Sequence, residues 1–167
     1  GLLDDLVERL SADPELARPS RFCPAMLEIA TNQPLVAALQ RRDDDLLGVL
    51  TDHPRSIALD GALGPAAVLG AVLPVWRGNG LARNDWDGDD QNFALRSLIT
   101  GVAFSLIGPS PSSADVDPLG VLGTAVTAIL GPERASQEQL RAAASEIVDF
   151  LREAQAAALR LIDFPEA

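Results

Sequence analysis

The sequence predicts an all-α protein, an antiparallel bundle of about six to eight helices, from three observations. Apolar residues recur three or four apart in nearly every segment. No segment alternates apolar and polar residues with the period of two that a half-buried strand needs. Helix signals also fall at the edges of the periodic runs: Asp or Ser before a run, Pro in its first turn, Gly after its end.

The elements follow in order. Leu2, Leu3, Leu6, Val7 and Leu10 mark a first helix, broken by Asp13 and Pro14. Residues 18–21, with Pro19, read as a polar hinge, and 24–31 (PAMLEIAT) as a short helix stopped by Asn32. Pro34 opens the next helix, which would bury Leu35, Leu39, Leu46, Leu47 and Leu50 and expose residues 41–45. Residues 51–64 are the longest irregular stretch and hold the only histidine, His53. Pro65 starts a further apolar helix with Val68, Leu69, Val72, Leu73 and Trp76 inward, ending at Gly78 and Gly80. Residues 93–107 (FALRSLITGVAFSLI) are apolar almost all round and so are expected at the centre. After a loop at 108–114, Asp117 caps and Pro118 begins a helix reaching Leu130, closed by Gly131 and Pro132. Ser136 and Gln139 are the outer residues of a capping box. From there Leu140, Ala144, Ile147, Leu151, Ala154, Ala158 and Leu161 step by 4 and 3 in turn, a heptad seam.

Composition narrows the function. At 167 residues the chain is long enough for one real hydrophobic core, and 47% apolar with 22% charged residues is a globular composition. The net charge of -11, with arginines scattered along the chain, opposes direct binding to nucleic acid or to an anionic membrane. Cys23 is the only cysteine, which excludes an internal disulfide and suggests an inert buried thiol. With no secretory signal and no apolar run of membrane length, the chain reads as cytoplasmic. It begins at Gly1 without methionine, so a preceding segment is expected.

The most polar stretch is RNDWDGDDQNF, residues 83–93. Counted as a calcium loop from Asp85, its sixth residue is Asp90 rather than Gly and its twelfth is Arg96 rather than Glu. The bend and the bidentate ligand are both missing, and no metal is expected. The residues suit a helix start instead: Asp87 as cap, with Asp89 and Asp90 meeting the positive end of the helix dipole. No nucleophile–base pair, metal cluster or phosphate loop appears, so neither an enzyme nor a cofactor is expected.

One ordering carries a resemblance. A helix ending at Gly80 is followed by Leu81, Arg83, Asp85 and Asp87, then by a long apolar helix with a central Gly101. This is similar to the ligand-binding domain of the TetR family of bacterial one-component regulators. Residues 1–10 (GLLDDLVERL) resemble the family's fourth helix, which connects to the DNA-binding part, and 117–131 resemble the bundle helix after the central one. The likeness spans residues 1–131, whose expected role is effector binding and dimerisation. Residues 132–167 are then a C-terminal helix packed on that unit or on a partner subunit. The family's helix-turn-helix is absent from this chain.

The resemblance implies an effector-sensing domain of a transcriptional repressor, a homodimer in which a small apolar molecule changes the DNA affinity of an upstream domain. Candidate ligand-lining residues are Met26, Trp76, Thr100 and Phe104, and the helices that the family uses for dimerisation offer Leu98, Val102, Leu119, Leu122 and Val126. The alternative is a helical protein-interaction or adaptor module that binds no ligand. An enclosed cavity would favour the sensor and solid packing the adaptor.

Overall fold

The computed structural model describes residues 2–32, 65–107 and 116–163. The helix expected from Pro34, the irregular stretch at 51–64 with His53, and the loop at 108–114 lie outside the described residues. Those described form an all-α bundle with no strand among them: α1 (Leu2–Ala12), a 3-10 turn (Pro14–Ala17), α2 (Pro19–Thr31), α3 (Pro65–Gly78), α4 (Gly88–Ile107), α5 (Pro118–Leu130) and α6 (Gln137–Asp163). No helix among them is long and apolar enough to cross a membrane.

The first junction differs from the sequence expectation. Asp13 caps the 3-10 turn, accepting from the Glu15 N–H at 3.0 Å. The helix expected from Pro24 begins at Pro19 and carries Pro24 in its interior. Pro19 occupies the first turn, where its missing N–H costs nothing. Pro24 has no N–H to offer the Ser20 carbonyl one turn back, and α5 comes close to that carbonyl at Gly123. A Cβ on Gly123 would stand 2.7 Å from Ser20 O, so only glycine permits this crossing. Among the described elements the α2–α5 pair makes the broadest helix contact.

One core joins every element. Leu6 and Leu10 of α1, Phe22 and Met26 of α2, Leu69 and Trp76 of α3, Leu95 of α4, Leu122 and Val126 of α5, and Ile147 and Leu151 of α6 are all buried in it. Trp76 is wholly buried; its indole N–H donates to the Ala17 carbonyl at 2.8 Å, and its ring meets Phe22 edge-on at 5.5 Å. A buried indole is stable only with such a partner. The capping box forms as read: Gln139 N–H donates to Ser136 Oγ at 3.1 Å, and Ser136 N–H to Gln139 Oε1 at 2.9 Å. The α6 seam, buried at Leu140, Ala144, Ile147 and Leu151, packs on the 3-10 turn, α1 and α3 of its own chain.

Cys23 is fully buried, and desolvation, helped by the charge of Glu133, raises its thiol pKa. At neutral pH it is a thiol and a poor nucleophile.

Candidate functional site

Residues 79–87 position α4. Gly80 takes φ 73°, which lets the chain reverse after α3 and bring the Leu81 N–H to the Trp76 carbonyl at 2.8 Å. Leu81 is buried as an anchor. The Arg83 N–H donates to the Leu130 carbonyl at 2.7 Å, tying this link to the end of α5. Gln91, buried though polar, is held by Arg77: the guanidinium donates to its Oε1 at 2.7 Å and to the Trp86 carbonyl at 2.9 Å.

The acidic stretch starts a helix, as its spacing predicts. The N–H groups of Asp89 and Asp90 donate to Asp87 Oδ1 at 2.9 and 3.2 Å. Arg83 grips Asp85 through two hydrogen bonds, at 2.6 and 2.7 Å, which hold that carboxyl down to about 2. Asp85 is thus held in an ion pair and Asp87 in a helix cap. Among the described residues no three His, Cys, Asp or Glu side chains are grouped to hold a metal.

α4 and α5, which pack on each other, each expose residues of unusual chemistry. Residues 97–107 of α4 and 118–130 of α5 carry no charge in a chain whose net charge is -11. On α4, Ser97, Thr100, Gly101, Phe104 and Ser105 are exposed, with Phe104 and the earlier Phe93 each 72% accessible. On and just before α5, Val116 (54%) and Val121 (56%) stand out beside Gly120, Thr124 and Ala128. The hydroxyls do not make these surfaces as polar as their number suggests. Ser105 donates to the Gly101 carbonyl at 3.0 Å and Thr124 to the Gly120 carbonyl at 3.1 Å, so each is turned back on its own helix. Gly120 leaves room for the cap: a Cβ there would push the Asp117 carboxylate, which accepts from the Leu119 N–H at 3.1 Å, out of its present position. A shallow groove of about 620 Å³ runs along this side of α5 between Val116 and Ala128.

The sequence-derived candidates divide across this arrangement. Met26 and Trp76 are core residues, and the indole N–H that could have oriented a ligand is already bonded to Ala17. Thr100 and Phe104 face outward. The four thus lie in two surroundings, Met26 and Trp76 in the core and Thr100 and Phe104 on the outside. The physical reason is that α4 turns Leu95 and Ile99 inward rather than the Thr100–Phe104 face. Of the dimerisation candidates, Leu122 and Val126 are fully buried in the chain's own core and are not available to a partner. Leu98, Val102 and Leu119 are half-buried against that core. The residues that sequence reasoning missed are Phe93, Val116 and Val121. With α5 apolar on every side, periodicity could not say which side turns in.

No family model, no curated protein and no solved structure matches this chain.

Proposed function

We infer that the chain is the effector-sensing and dimerising part of a one-component transcriptional regulator, and that two copies associate through the outer face of α4 and α5. The observation that carries this reading is the set of apolar side chains exposed on both helices: Phe93 and Phe104 on α4, Val121 on α5 and Val116 just before it. Exposed large apolar side chains grouped on two neighbouring helices are the kind of surface that marks association sites. A second copy is the occupant favoured by charge: residues 97–107 and 118–130 carry no charged side chain in a strongly acidic chain, and Asp117 is the one carboxylate lining the groove on α5, so two copies meet here with little opposing charge. A two-fold axis would let the same patch serve both partners. The helix order seen in the sequence supports the regulator assignment, with α1 as the connection toward a DNA-binding part.

A second reading, an adaptor module without a ligand, is favoured by one observation. Trp76 and Met26 pack tightly, and the Trp76 N–H has no bond left to give a ligand. Native mass spectrometry of the gently purified protein separates the two. The sensor reading expects a dimer that retains a small molecule, whereas the adaptor reading expects a bare chain that assembles with another protein. A bare monomer at every concentration overturns the sensor reading.

A further inference from the structure

We draw no further inference here: the strongest candidate, the shallow, largely apolar groove between α2 and α5 lined by Leu16, Ser20, Arg21, Pro24, Leu119 and Thr127, is open to solvent, and nothing in the structure shows what covers it.

Discussion

Trp76 is the largest side chain removed from water, and its single polar atom is bonded to Ala17 across 59 residues of sequence. Trp76→Phe should therefore cost about 2 kcal/mol, because the Ala17 carbonyl loses its donor and the smaller ring leaves a void. Urea denaturation reads this directly; a loss below about 0.5 kcal/mol would mean that the indole bond contributes nothing. The Arg83–Asp85 pair makes a pH-dependent statement. Asp85 is held near 2 in the fold, below the ordinary carboxylate value of about 4, so the pair stabilises above that value. Its contribution disappears as pH falls toward 2. The melting temperatures of the protein and of Asp85→Asn should differ above pH about 4 and converge near pH 2, with a small gap because the pair is exposed. A gap that widens on acidification would contradict this.

At the scale of elements, the helix termini were the most legible part of the sequence. Asp87, Asp117 and the Ser136–Gln139 box are short-range devices whose partners lie two or three residues away, so local spacing suffices to read them. Asp87→Ala should cost about 1 kcal/mol, and Asp87→Ser should retain most of the stability. Equal losses in both variants, measured by thermal melting, would assign the effect to lost charge instead. The start of α2 was not legible, because Pro24 looks like a boundary and becomes an interior residue only where Gly123 of α5 meets the freed Ser20 carbonyl. That accommodation is made in α5, far away in the sequence. Gly123→Ala should destabilise by about 1–3 kcal/mol through the clash with Ser20 O, which is backbone and cannot rotate away. A neutral Gly123→Ala would mean that the helices separate freely at this crossing.

The whole molecule is where sequence reasoning was weakest. The all-α class followed from periodicity, yet α4 and α5 are apolar on more than one side, and periodicity alone cannot choose the buried one. Leu122 and Val126 turned inward while Val121 and Phe104 turned out, so the candidate surface is formed by neighbours of the residues first expected there. The same ambiguity separated Trp76 from Phe104, since nothing local distinguishes a core aromatic from an exposed one. The central claim is that the apolar residues exposed on α4 and α5 join two copies of this chain. Sedimentation equilibrium over a wide concentration range, on the protein and on Val121→Glu, tests it most directly. Val121 is more than half exposed, so the substitution should leave the fold intact, as circular dichroism would verify. The expected result is a dimer for the protein and a monomer for Val121→Glu. A monomer at all concentrations, or a dimer indifferent to the new carboxylate, would contradict the account.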